Sequence, residues 1–347
     1  MEEEKYMRRC IQLAQNGLCN TAPNPMVGAV IVCDGKIIGE GYHIRCGEAH
    51  AEVNAIRSVK EPSLLKRSTI YVSLEPCAHY GKTPPCADLI IEKQIPRIVI
   101  GCQDPFAKVA GRGIQKLKDA GREVIVGVLE EDCKNLIRRF VTFHSLHRPY
   151  ITLKWAESAD KHIDKCRKDG KPVILSTPLT SMLVHKRRAE HSAIMVGTHT
   201  AELDNPSLTV RNWQGQSPVR IVIDRQQRLS PSLHLFDDSI RTLVFTGQPH
   251  AALPNTEYIV IDFQQNILPQ IMQHLYAQGL QSLLVEGGSY LLQSFINAEL
   301  WDEIFVEESP LKLFSGVKAP EIGNKILYVN EQYFGRNFRH YIATRLG

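Results

Sequence analysis

The sequence predicts two successive α/β domains, on three observations. Apolar runs of strand length alternate with segments of helical period along the whole chain. At 347 residues the chain is long enough for two domains of ordinary size. Near its middle a helical pattern ends at Arg148-Pro149, a step that stops helices, and a second α/β series starts beyond it.

In the first half, residues 6–15 have helical spacing and residues 27–32 form an apolar strand run. Asp34-Gly35 is a hairpin signal, with 36–42 as the returning strand. A helix is expected over 51–58, a strand over 69–74, a helix over 86–93 and a buried strand over 98–102. Residues 113–120 read as a short helix stopped by Gly121, 123–128 as a strand and 133–146 as a helix. The result is a sheet of about five strands covered by helices. In the second half, strands are expected over 150–155, 193–196, 219–223, 242–245, 258–261, 282–285 and 303–306. Helices are expected over 178–189, 268–278 and 290–298, and the alternation implies a largely parallel sheet. The break within 144–149 gives domains 1–146 and 147–347.

Composition narrows the function classes. The chain is 43% hydrophobic and 22% charged, as soluble globular proteins are. No run approaches the roughly 18 apolar residues of a membrane span, so no membrane partner is expected. The acidic start Met1-Glu2-Glu3-Glu4 is unlike a signal peptide, and a cytoplasmic location is expected. A net charge of +4 without a basic block suits sugar phosphates, whereas a nucleic-acid partner calls for a basic stripe. Aromatic residues are only 7%, too few for a base-stacking channel. The nine cysteines are odd in number and do not form a disulfide framework of the small secreted type. Cys33 and Cys102, within apolar runs, read as reduced core thiols.

Cys77 and Cys86 need another explanation. His50-Ala51-Glu52 opens an expected helix, Pro76-Cys77 follows an expected strand, and Cys86 opens the next helix behind Pro84-Pro85. Zinc takes imidazole and thiolate ligands in a tetrahedron, and a catalytic site uses three of them plus an open position for water. His50, Cys77 and Cys86 supply three, with both thiols at helix starts that favour thiolate. Glu52, two residues from a ligand, is free to move a proton. His-x-Glu followed by Pro-Cys is the signature of zinc deaminases. Here eight residues separate the cysteines, whereas the common pattern has two. A purely structural zinc site would need a fourth ligand, for which His79 is the nearest candidate.

The stretch Leu74-Glu75-Pro76-Cys77-Ala78-His79-Tyr80-Gly81-Lys82-Thr83-Pro84-Pro85-Cys86 resembles one family closely, the bifunctional riboflavin biosynthesis proteins that join a pyrimidine deaminase to a reductase. Pro23-Asn24-Pro25-Met26-Val27-Gly28, Gly39-Glu40-Gly41-Tyr42-His43, Gln103-Asp104-Pro105 and Val109-Ala110-Gly111-Arg112-Gly113 resemble it too. The resemblance implies a cytidine-deaminase-like α/β/α sandwich followed by a dihydrofolate-reductase-like domain. It also implies Zn2+ and NADPH as cofactors and a small pyrimidine ribosyl phosphate as substrate. Glu52 becomes the acid–base. Asn24 and His43 fall near the base, and Lys82, Asp104, Lys108 and Arg112 around the ribose phosphate. From their own chemistry Lys82 and Arg112 are also readable as solvated surface charges, and Asn24 between prolines as a turn residue.

For the second half, pattern alone gives Val285-Glu286-Gly287-Gly288-Ser289 between a strand and a helix, where glycines let a phosphate reach a helix N-terminus. No Gly-x-Gly-x-x-Gly is present. The resemblance places Ala156, Thr200, Asp204, Gly287, Gly288 and Ser289 on the cofactor. It places Arg188, Leu208, Arg211 and Glu286 on the substrate, and implies a homo-oligomer formed through the reductase domain. Two departures stand out. The family's Ala-Ser-x-Asp-Gly is here Glu157-Ser158-Ala159-Asp160-Lys161, with an altered backbone expected at the lost glycine. Ile174 stands where the family often has tryptophan. A degenerate, non-reducing second domain is the alternative reading.

Overall fold

The structure, a computed structural model, describes residues 2–80, 84–105, 111–167, 171–251, 253–323 and 326–343. It divides into two units, Met1–His147 and Arg148–Gly347, each with its own core.

The first unit runs α1 (Glu2–Gln15), β1 (Gly28–Cys33), β2 (Lys36–Tyr42), α2 (Ala51–Ser58), β3 (Thr69–Leu74), α3 (Cys86–Glu92), β4 (Arg97–Cys102), α4 (Arg112–Asp119), β5 (Glu123–Val126), α5 (Glu130–Leu136) and α6 (Arg138–Leu146). Its sheet has the order β2-β1-β3-β4-β5, with β3, β4 and β5 parallel and β1 antiparallel to both neighbours. Strand side chains alternate between faces. Ile31, Ile70 and Ile98 therefore pack with Ala55, Ala87 and Ile90 of α2 and α3, while Val30, Tyr71 and Val99 pack with Met7 and Cys10 of α1. This is the α/β/α sandwich expected. Asp34 and Gly35 take φ of 49° and 73°, as the tight turn between β1 and β2 requires. Helix α2 lies directly on β2 because position 41 has no side chain. A Cβ there would stand 2.3 Å from the Ala55 nitrogen and 2.7 Å from the Ala51 carbonyl. That contact fixes where α2 begins, and with it His50 and Glu52.

The single helix expected over 133–146 is two helices. They meet at Ile137, whose backbone leaves helical values at φ −102° and ψ 15°. Its N–H is shared between the Cys133 and Lys134 carbonyls at 3.4 and 3.2 Å. Burial of Leu136 and Ile137 against the α1 side of the core overrides continuity of the helix.

The second unit runs β6 (Tyr150–Glu157), β7 (His162–Asp164), α7 (Pro178–Ala189), β8 (Ala193–Val196), α8 (Thr198–Asp204), β9 (Val219–Ile223), β10 (Thr242–Thr246), β11 (Thr256–Val260), α9 (Ile267–Ala277), β12 (Ser282–Gly287), α10 (Ser289–Asn297), β13 (Glu303–Glu308), β14 (Val317–Lys318), β15 (Tyr328–Tyr333) and β16 (Arg336–Ile342). Nine strands form a sheet ordered β11-β10-β9-β8-β12-β6-β13-β16-β15. From β11 to β13 every pairing is parallel; β16 and β15 add an antiparallel edge. Leu268, Ile271 and Leu275 of α9 and Leu292 and Phe295 of α10 cover Leu153, Leu243 and Leu283. Thr177 caps α7 by accepting from the Thr180 N–H at 3.1 Å, with Pro178 at the first helical position. The strands β7, β14, β15 and β16 and the helix α8 had no sequence expectation. The β15–β16 turn uses Phe334-Gly335, at φ of 51° and 73°, in place of the Asn-Gly or Asp-Gly that marks such turns. Among the described residues no helix is long and apolar enough to cross a membrane.

Arg148 and Asp302 tie the start of β6 to that of β13. The guanidinium donates to both carboxylate oxygens at 2.6 and 2.8 Å, and the Ile151 N–H donates to the same carboxylate at 2.7 Å. Both side chains are almost buried. Asp302→Ala leaves a buried cation without its partner, a loss of about 3–5 kcal/mol. Urea unfolding followed by tryptophan fluorescence reads this unit alone, since Trp155, Trp213 and Trp301 all lie in it. An unchanged midpoint would contradict the role given to the pair.

Candidate active sites

His50, Glu52, Cys77 and Cys86 reach one place from three segments. His50 is the N-cap residue of α2 and Glu52 sits in its first turn. Cys77 follows the Glu75-Pro76 step after β3, and Cys86 opens α3 behind Pro85. The donor atoms of His50, Cys77 and Cys86 all lie within 4.8 Å of one another. His50 Nδ1 is 3.7 Å from Cys77 Sγ and 3.4 Å from Cys86 Sγ. Ordinary zinc bond lengths at a tetrahedral angle put nitrogen and sulfur about 3.6 Å apart, so this donor set fits zinc. Among the described residues His79 is not part of the group and instead lines the neighbouring cavity.

The sulfurs are poised for a metal. The Cys86 thiol and the Cys86 N–H, the latter at 3.3 Å, both donate to the Cys77 sulfur. The thiol contact holds Cys77 well below the usual thiol value and Cys86 above it. The hydrogen bond with Cys77 in turn raises His50. Glu52 is only 3% exposed, and burial pushes its carboxyl up to about 7. A change of that size is worth roughly 3 kcal/mol. It outweighs the ~1 kcal/mol that a helix N-terminus returns to a carboxylate. At neutral pH Glu52 is therefore divided between its acid and base forms.

A cavity of about 470 Å³ opens beside these groups, with Asn24, His43, Asp104, Phe140 and His144 in its wall. His43 is buried, and its Nδ1 donates to the Ala49 carbonyl at 3.1 Å. That leaves Nε2 to accept the Asn24 side-chain amide at 3.1 Å. Burial holds the His43 ring below the usual imidazole value, so it stays neutral. Arg112 opens α4. Lys82 and Lys108 lie outside the described residues. Phe140 and His144 escaped the sequence reading. Their rings lie 4.3 Å apart, four residues apart on α6, a spacing that puts two aromatic side chains on one helix face.

In the second unit, Glu286 and Arg188 form a nearly buried bidentate pair at 2.9 and 2.7 Å. Burial works to raise Glu286, but the guanidinium outweighs it and holds the carboxyl below its usual value. Arg188 also donates to the Thr209 carbonyl at 3.1 Å, which draws the segment carrying Leu208 and Arg211 to the pair. Leu208 itself packs in the core with Ile194 and Ala201, at φ 54°. Thr200 of α8 lies against Gly287 and Gly288: a Cβ on either would meet its side chain at 3.1 Å. Asp204, at the end of α8, pairs with Arg167. Ser289 begins α10 and donates to the Lys318 carbonyl at 2.7 Å. Ala156 pairs with Glu307 across β6 and β13. Lys154 and Glu307 were missed. Burial lowers the Lys154 ammonium, opposed by Glu286 and Glu307, and Glu307 accepts from Ser176 and Thr180 at 2.6 and 2.7 Å. A lysine inside the apolar run of β6 was the available signal.

The departure at Lys161 has a structural answer. Lys161 takes φ 62°, a left-handed conformation that glycine adopts freely. Its ammonium is held 2.6 Å from Glu157, the other residue that departs from the family motif. Ile174 is 79% exposed.

Comparison with known proteins covers both units. The family described as the cytidine and deoxycytidylate deaminase zinc-binding region matches residues 1–102, and the RibD C-terminal domain matches residues 149–314. The riboflavin biosynthesis protein RibD of Bacillus amyloliquefaciens is 36% identical over 329 residues, spanning 92% of this chain and 87% of that protein. Its namesake in Escherichia coli (strain K12) is 36% identical over 337 residues, spanning 92% and 90%. A solved structure of a diaminohydroxyphosphoribosylaminopyrimidine deaminase/5-amino-6-(5-phosphoribosylamino)uracil reductase from Thermotoga maritima is 37% identical, covers 98% of each chain and superposes with a TM-score of 0.89. Acinetobacter baumannii RibD is 30% identical, covers 99% of each chain and gives a TM-score of 0.88. With both halves matched and the zinc donors assembled in the first, the chain belongs to the RibD family, the bifunctional deaminase/reductases of riboflavin biosynthesis.

Proposed function

We propose that residues 1–146 remove the 2-amino group of 2,5-diamino-6-ribosylamino-4(3H)-pyrimidinone 5′-phosphate by hydrolysis, and that residues 147–347 reduce the ribosyl group of the product to ribityl with NADPH. The observation that carries this reading is the meeting of three zinc donors with a buried carboxyl near pKa 7 at the wall of one cavity.

Zinc held by His50, Cys77 and Cys86 supplies the Lewis acidity that activates water at neutral pH. Glu52 takes one proton from the attacking water and places it on the ring nitrogen, then takes the proton left on the added hydroxyl and hands it to the departing amine, which leaves as ammonia. A carboxyl poised near the working pH can move a proton in both directions. Neutral His43 fixes the Asn24 amide, which leaves the Asn24 carbonyl oxygen to accept from the base. Asp104, Arg112, Lys82 and Lys108 serve the ribose phosphate.

In the reductase half, bound NADPH would supply the hydride that reduces C1 of the ring-opened ribose. Gly287, Gly288 and Ser289 offer backbone amides to its phosphates where α10 begins. Thr200, Asp204 and Ala156 complete its cradle. Arg188, Arg211 and Glu286 hold the substrate, with Leu208, its side chain packed in the core, lending only its backbone, and with the Arg188–Glu286 pair fixing the carboxylate as a charged acceptor.

Three outcomes test the reading. Glu52→Gln cuts ammonia release by about 10²-fold or more while the zinc content holds; unchanged release would remove Glu52 from the chemistry. Cys77→Ala and Cys86→Ala each lose zinc and deaminase activity together, and both still oxidise NADPH when given deaminated substrate. A full zinc complement in either variant contradicts the ligand assignment. In the unaltered protein, NADPH consumption follows deaminated product, and ammonia release with no NADPH oxidation would leave the second half without its activity.

A further inference from the structure

We infer that Glu75 is a positioning residue for the deaminase. Its buried carboxylate locks Asp104, in the cavity wall, and the start of α4, where Arg112 stands, to the turn that carries Cys77, and so sets the span between the substrate's phosphate and its ring. The inference rests on the reading that these residues meet the ribose phosphate.

Glu75 is 4% exposed and lines the cavity. Its carboxylate accepts four backbone hydrogen bonds. One oxygen takes the N–H of Asp104 at 3.2 Å and of Gly111 at 3.0 Å. The other takes the N–H of Gly113 at 2.8 Å and of Ile114 at 3.2 Å. The donors are Asp104 itself and three residues within two positions of Arg112, and four such bonds fill the acceptor capacity of a carboxylate. The backbone of Glu75 is anchored in turn, with its N–H donating to the Cys102 carbonyl at 3.0 Å. Pro76 and the ligand Cys77 follow directly. The two parts are also pressed together. A Cβ at position 113 would stand 2.0 Å from the Pro76 carbonyl oxygen, so α4 sits against the turn as closely as a glycine permits. One side chain thus spans the gap from the zinc donors to the start of α4. The deamination step itself needs neither a second buried carboxylate nor a tie to this loop.

The test exploits the chemistry of the isostere. Glu75→Gln keeps the shape but turns an NH2 toward two N–H donors, which breaks at least one of the two hydrogen-bonded pairs. Ammonia release is measured on the full chain for wild type, Glu75→Gln, Arg112→Ala and the double variant. Each is given the 5′-phosphorylated substrate and its dephosphorylated form, and zinc content is measured alongside. The expected result is a KM for the phosphorylated substrate raised about tenfold, with kcat within about threefold. Zinc content and the KM for the dephosphorylated substrate stay unchanged. In the Arg112→Ala background Glu75→Gln adds less than about twofold, since the two act through one contact. Equal weakening of both substrates, loss of zinc or full multiplication of the two effects overturns the inference. If Arg112→Ala leaves KM untouched, the phosphate reading of these residues fails. If Arg112→Ala raises KM and Glu75→Gln does not, only the inference fails. Should Glu75→Gln not fold, Glu75→Asp decides by the same split, because it keeps the charge but is one methylene too short to hold both pairs.

Discussion

Close approach of α2 to the backbone of β2 is the constraint on which the deaminase site depends. Without a side chain at Gly41 the helix rests on the strand itself, with its first turn, from the N-cap His50 through Glu52, seated against β2. The parallel pair β3–β4 then brings the turn after β3 and the start of α3 to the same rim. The chemistry is thus set by a packing distance before it is set by any polar interaction.

The two units use buried carboxyls in opposite ways. In the first, Glu52 is buried without a paired guanidinium, so desolvation dominates and the group is half protonated near neutrality. In the second, Glu286 is less deeply buried and carries Arg188 as a bidentate partner, and Coulomb attraction dominates. The first arrangement suits a group that must give and take a proton. The second suits a fixed negative charge that orients a ligand. Neighbours, not residue type, divide the two roles.

Much of this was legible in the sequence, and the rest was hidden for physical reasons. The strand runs and the His50–Glu52–Cys77–Cys86 set could be read because each rests on local order: apolar runs of strand length for one, ligand chemistry at helix starts for the other. Glu75 stood inside the most informative stretch and gave no sign of its work, since its partners are backbone amides up to 39 residues away. Lys154 and Glu307 come near one another only through the register of β6 with β13, which sets Lys154 opposite Phe305 and Glu307 opposite Ala156. The C-terminal hairpin escaped because its turn residues are atypical and its strand β15 is mostly exposed. Phe140 and His144 were seen as part of a helix, but which face that helix turns to a cavity depends on the bend at Ile137. The lost glycine at Lys161 was legible as a departure, but its contact with Glu157 at the other end of the same motif was not.

The spacing of the zinc donors has a thermodynamic side. His50 lies 27 residues from Cys77 and 36 from Cys86, so a single ion bound by all three closes loops across α2, β3 and the entry to α3. Such an ion binds only where the fold has brought its three ligands together, so its binding free energy adds to the stability of the unit. Chelation would then loosen the architecture of one unit together with its chemistry, while the other, whose core contains none of these residues, would keep its own cohesion. Metal supply becomes a control on how much of the molecule is folded as well as on how fast it works.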